Sequence, residues 1–177
     1  MPQSKGSNFV PAVKFLRVHR EEARDRLPED LHGYLEGRIL PGSWYPEEEL
    51  MSLLRTVASL LPQDEPECWE TIGSGAAEFH AQETLEGLVQ RGPDELVEAL
   101  GPVWSLLHDT GSVTVEMRDE GRASVELRDF SPGMPQYASM MRGYMARILE
   151  LAGADEIEVR IADRSDERAR WELAWKS

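Results

Sequence analysis

Residues 112–128, SVTVEMRDEGRASVELR, and residues 155–176, DEIEVRIADRSDERARWELAWK, decide the fold. In the first stretch Val113, Val115 and Met117 alternate with Thr114, Glu116 and Arg118. After Asp119-Glu120-Gly121 the period returns as Ala123, Val125 and Leu127 against Ser124, Glu126 and Arg128. Two strands with one oily face and a polar turn between them make a β-hairpin. The second stretch repeats the pattern. Ile157, Val159 and Ile161 alternate with Glu156, Glu158 and Arg160, a turn falls at Asp163 to Asp166, and Ala169, Trp171, Leu173 and Trp175 follow. The outward Glu and Arg side chains suit cross-strand pairs in water.

Between the hairpins, Tyr137, Met141, Tyr144, Ile148 and Leu151 recur at helical spacing, and Gly153 stands where a C-terminal cap belongs. The C-terminal half therefore reads as ββαββ, a four-stranded antiparallel sheet whose apolar face one crossing helix covers. The N-terminal half reads as helices packed on that sheet, and the fold class is α+β.

Going back along the chain, Met1 to about Asn8 lacks apolar pattern and is expected to be a disordered tail, leaving residues 9–177 as a single domain. Phe9 to Arg24 reads as a helix interrupted near its start by Pro11, and Glu29 to Glu36 as a short one. Pro46 with Glu47, Glu48 and Glu49 suits a helix start in both backbone geometry and dipole. That helix runs to about Leu61 with Leu50, Leu53, Leu54 and Val57 inward. Glu67 to Gln90 is expected to be the longest helix, and two shorter ones follow Gly92-Pro93 and Gly101-Pro102.

Composition narrows function. A chain of 177 residues, 41% hydrophobic and 29% charged, can bury one sizeable core. Its net charge of −14 argues against a nucleic-acid partner, since phosphates demand a basic footprint. Residues 47–98 hold thirteen Asp and Glu against Arg55 and Arg91, a net charge of about −11. That segment reads either as a solvated face or as a recognition surface for a basic partner, with Trp44, Tyr45, Glu47, Glu48 and Glu49 at its leading edge. Trp44 and Tyr45 also read as a hydrophobic anchor for the helix that follows. The single Cys68 excludes an internal disulfide and suits a reducing cytoplasm. No apolar run approaches a membrane span.

No catalytic or metal motif stands out. His19, His32, His80 and His108 show no HxxxH spacing, there is no nucleophile elbow, and no phosphate loop or dinucleotide fingerprint is present. Cys68 reads as a structural thiol. The one unusual run is Gly73-Ser74-Gly75-Ala76-Ala77, whose small side chains imply close approach by another helix, the sheet or a flat ligand. His80 falls on the same helical side. A ligand pocket would therefore draw on Gly73, Ala76, Ala77 and His80, with Tyr137, Met141 and Tyr144 from the crossing helix. No zinc, haem or other cofactor is expected.

Residues 37–46 (GRILPGSWYP), Trp104, the first hairpin, Gly143-Tyr144, Ala152-Gly153-Ala154 and the closing strand Trp171-Glu172-Leu173-Ala174-Trp175 together resemble the 4-vinyl reductase-like domains, in particular the paralogous ones of unknown function in myxobacteria. The resemblance implies helices on a four-stranded antiparallel sheet, similar to haem-nitric-oxide-binding sensor domains and transport-particle subunits, in proteins that are mostly sensors, accessory factors or interaction modules and often dimeric. Many relatives carry cysteines around the last hairpin, where this chain has Ala162 and Ala169. The leading expectation is a non-enzymatic regulatory or adaptor domain that acts through a protein partner or as a homodimer. The alternatives are a sensor holding an apolar small molecule between helices and sheet, and an accessory factor of tetrapyrrole metabolism.

Overall fold

The computed structural model describes all 177 residues. In chain order the elements are β1 (Gln3–Lys5), α1 (Gly6–Val18), α2 (Arg20–Arg26), a 3-10 helix (Glu29–Leu35), β2 (Trp44–Pro46), α3 (Glu47–Leu60), α4 (Glu67–Glu83), α5 (Glu86–Val89), α6 (Pro93–Glu98), α7 (Leu100–Leu107), β3 (Ser112–Met117), β4 (Arg122–Arg128), α8 (Gln136–Leu151), β5 (Asp155–Arg164) and β6 (Ala169–Lys176). No helix is long and apolar enough to cross a membrane.

The two hairpins form one antiparallel sheet in the order β3-β4-β6-β5. Its register aligns apolar residues in rows. Val115 faces Val125, Val125 faces Trp171, and Trp171 faces Ile161, while Met117, Ala123, Leu173 and Val159 form the next row. On the other face Glu126 lies opposite Arg170, and Arg118 and Arg168 pair with Glu172 and Glu126 at 3.3 and 3.2 Å. Such exposed pairs add about 0–1 kcal/mol each, so the apolar face carries the sheet's stability.

Two helices, and not the crossing helix alone, cover that face: α8 packs on β5 and α7 on β3. One contiguous core of 39 buried apolar residues, from Phe9 in α1 to Trp175 in β6, ties the helical half to the sheet. Along α8, Tyr137, Tyr144 and Ile148 are buried as their spacing predicts, whereas Leu151 is exposed.

The expected tail is a structured element. β1 pairs with β2, the helix begins at Gly6, and Ser4 is fully buried with its hydroxyl toward the Leu107 carbonyl. Backbone bonds from Glu47 to the Pro2 carbonyl (2.9 Å) and from Asp109 to the Gln3 carbonyl (3.1 Å) complete the tie. Short polar residues look solvent-loving in isolation. Here their backbone groups are satisfied by segments far along the chain.

The long helix expected over residues 67–90 divides in two. α4 stops at Glu83, where the Leu85 amide reaches back to the His80 carbonyl, and α5 restarts at Glu86. The small-residue run of α4 meets α8. A Cβ on Gly73 would overlap the Met140 carbonyl, and one on Gly143 would overlap the Glu70 carbonyl, so each helix supplies the glycine that lets the other's backbone in. Arg142 flanks the crossing with ion-paired Glu70 at 2.7 Å and its Nε on the Val159 carbonyl at 3.0 Å.

Opposite outcomes are expected two residues apart on α4. Gly73→Ala should destabilise by about 1–3 kcal/mol, because the overlapped atoms are backbone that cannot step aside. At Gly75 a Cβ meets nothing within 4 Å, so Gly75→Ala should stabilise by about 1 kcal/mol through helix propensity. Urea unfolding of the two variants beside the parent measures both.

Candidate ligand cavity

The division of the sheet between α7 and α8 leaves the centre of its inner face uncovered. Val125, Leu127 and Trp171 there look into a cavity of about 500 Å³, bordered by α1, α3, α4, α7 and α8 and open to solvent on one side. Twenty-two of its 31 lining residues are hydrophobic. Both volume and lining match small-molecule sites, which run about 300–1,000 Å³ with few polar groups.

The first polar group follows from a proline. Pro11 lies inside α1 and has no N–H, so the Ser7 carbonyl lacks its i+4 donor. His80 of α4 takes that place, its Nε2 at 3.4 Å from the Ser7 oxygen, and its Nδ1 lies 3.0 Å from the Tyr144 hydroxyl of α8. His80 is 3% exposed. Burial pulls its pKa down to about 4, so the ring is neutral near pH 7, and burial pushes the Tyr144 phenol well above its ordinary value.

The second polar group centres on His108, just past the end of α7. Trp104 stacks on its ring with centroids 3.9 Å apart and planes 13° from parallel. Its Nδ1 lies 3.1 Å from the Glu47 carboxylate, and its Nε2 lies 3.3 Å from the Asn8 amide nitrogen and 3.5 Å from the Tyr137 hydroxyl. Asn8 also donates to the Ser4 hydroxyl at 2.6 Å. Glu47 has no exposed surface; it stands at the start of α3, where the helix dipole favours a negative charge. Tyr137 is held protonated by burial and by the nearby Glu47.

Of the pocket residues expected from sequence, Ala76, His80, Tyr137, Met141 and Tyr144 lie on the cavity wall. Gly73 and Ala77 do not: Gly73 is filled by the α8 backbone, and Ala77 is buried away from the cavity. The expected partner surface comes apart. Glu47 is buried against His108, and Glu49 takes a hydrogen bond from Tyr34, so of the three only Glu48 projects freely. Tyr45 anchors β2 against Phe9 and Tyr34, with centroids 5.1 and 6.2 Å away, and its hydroxyl accepts from the Leu40 amide at 3.0 Å. Trp44 stays 41% exposed beneath the Lys5 ammonium. Cys68 is buried, which raises its thiol pKa.

Sequence reasoning missed Asn8, Glu47, Trp104 and His108 as one cluster. Glu47 was disguised as the first of three dipole-favouring acids. Pro11, whose missing N–H leaves the Ser7 carbonyl in need of a donor, signals the other polar group at His80; the His108 cluster, drawn from residues 8, 47, 104 and 108, has no local pattern that marks it.

No family model matches the sequence, and no curated protein matches it either. Solved structures do. An oxygen-binding H-NOX domain related to soluble guanylate cyclases, in its oxygen complex, superposes with TM-score 0.74 at 13% identity, covering 98% of this chain and 95% of that one. A Cs H-NOX mutant gives 0.74 at 13% identity over 98% and 97%. An unliganded Fe(II) H-NOX mutant from K. algicida gives 0.69 at 12% identity over the same shares. The chain thus has the H-NOX fold from end to end, a haem-NO-binding-like architecture.

Haem itself does not fit the residues present. An axial histidine needs a free imidazole lone pair, and both ring nitrogens of His80 and of His108 already have protein partners, while burial keeps the Tyr137 and Tyr144 phenols protonated. Two propionates need cations, and the wall offers only Lys14, whose ammonium lies over the Phe79 ring.

Proposed function

We propose that this protein is a non-enzymatic sensor domain that binds an uncharged, largely apolar small molecule in the cavity between its helices and sheet. The observation that carries the reading is the 500 Å³ apolar cavity, whose buried polar groups gather in two histidine clusters while Lys14, Thr71, Glu78 and Gln82 of its lining are exposed to solvent. The H-NOX fold supports it, because structures of that fold include an oxygen-binding domain. A regulatory output through a protein partner, or through a second copy of the chain, completes the reading. The exposed apolar side chains Leu40, Trp44 and Leu106 support that output. A tetrapyrrole role has no support in the lining residues.

Trp104 and Trp171 line the cavity, so occupancy should quench intrinsic fluorescence. A ligand at a hundred times its Kd should raise stability by about 2.7 kcal/mol. Ala76→Phe places a ring on the cavity wall and is expected to weaken binding at least tenfold, with far-ultraviolet circular dichroism unchanged. Titration of a panel of neutral aromatic and alicyclic compounds into parent and variant tests this. A panel that neither quenches nor stabilises would remove the sensor reading.

A further inference from the structure

Hydrogen-bond bookkeeping around the two histidines specifies what kind of ligand the cavity takes, given that it takes one. The Ser7 carbonyl can only accept, so the His80 proton sits on Nε2 and Nδ1 presents a lone pair. Tyr144 then donates its only proton to that lone pair. The same logic holds at His108. The Glu47 carboxylate accepts from Nδ1–H, which leaves Nε2 as the acceptor facing Tyr137 and Asn8. The single Nε2 lone pair is shared by an Asn8 N–H at 3.3 Å and the Tyr137 O–H at 3.5 Å, and the other Asn8 amide proton goes to Ser4. Every proton on these polar groups is spoken for inside the protein. What these groups leave for the cavity is the lone pairs of Tyr137 Oη, Tyr144 Oη and Asn8 Oδ1; the other polar residues of the lining, Lys14, Thr71, Glu78 and Gln82, are exposed to solvent.

We propose that the cavity selects apolar molecules bearing a hydrogen-bond donor, a hydroxyl or a neutral N–H, over otherwise equal molecules that can only accept. This rests on the sensor reading and adds the polarity of recognition to it. A ketone or ether would set its oxygen against protein lone pairs, and sites built for one hydrogen-bond partner reject ligands that leave buried groups unpaired. A charged ammonium also donates, but it would lose its hydration in an apolar chamber.

Matched pairs provide the test: naphthol with its methyl ether, and indanol with indanone, titrated by tryptophan fluorescence. Each donor is expected to bind at least tenfold more tightly than its partner. Equal or tighter binding of the ether and ketone would overturn the inference and leave the sensor reading standing. Silence from every compound would overturn both. In Tyr137→Phe and Tyr144→Phe, naphthol affinity should fall several-fold with the ether unchanged; naphthol binding unaltered in both would also overturn it. Nitrogen NMR of the ligand-free protein gives a readout that does not depend on binding or on any variant. His80 should carry its proton on Nε2 and His108 on Nδ1 at neutral pH, and the reverse tautomer at either ring, or a doubly protonated His108, would overturn the inference.

Discussion

Replacing Trp171 by Ala is expected to lower the free energy of unfolding by about 3–5 kcal/mol. The side chain is 1% exposed in β6, opposite Val125 on one side and Ile161 on the other. Its indole Nε1 donates to the Ala138 carbonyl of α8 at 3.1 Å, so the same residue ties sheet to crossing helix. Alanine would remove the transfer free energy of the indole and extend an existing cavity, with few neighbours placed to collapse into the space. Urea unfolding of parent and variant gives the difference. A loss under about 1 kcal/mol would mean that Trp171 faces the other side of the sheet, which the register makes incompatible with its neighbours.

Acidification should cost the fold about 3 kcal/mol through His80 alone. Its pKa is held at about 4 in the folded protein against 6.5 for an ordinary histidine, chiefly because burial disfavours the charged ring. Between those values the unfolded chain binds a proton that the folded chain refuses. The stability from keeping His80 neutral is therefore complete above pH 6.5, declines as pH falls toward 4, and is constant below that. Carboxylates titrate in part of the same window, so the useful quantity is a difference. The gap in unfolding free energy between parent and His80→Gln should change by about 3 kcal/mol from pH 7.5 to pH 4, with the variant relatively better at low pH. A gap that does not move with pH would mean that water reaches the His80 ring.

The sheet was legible in the sequence because strand patterning is local. Val113 to Leu127 and Ile157 to Trp175 declare which side chains are inward without reference to any other part of the chain, and the glycine-lined helix crossing was signalled by Gly73. The sequence by itself therefore determined the α+β class, the two hairpins, the burial of Trp171 and the apolar stripe of the crossing helix. It could not determine the strand order β3-β4-β6-β5, because hairpins alone leave open which edges meet. Nor could it show that α7 and α8 share the sheet and leave a cavity between them.

Only the tertiary structure turned the first of three glutamates into a buried partner of a histidine 61 residues away, and the N-terminal residues into a strand paired with β2. The reason is physical. Periodicity reports how much of a residue is apolar and which way it points, whereas a buried polar group is decided by the one donor or acceptor that reaches it, and for Ser7 and His80 that partner lies 73 residues along the chain.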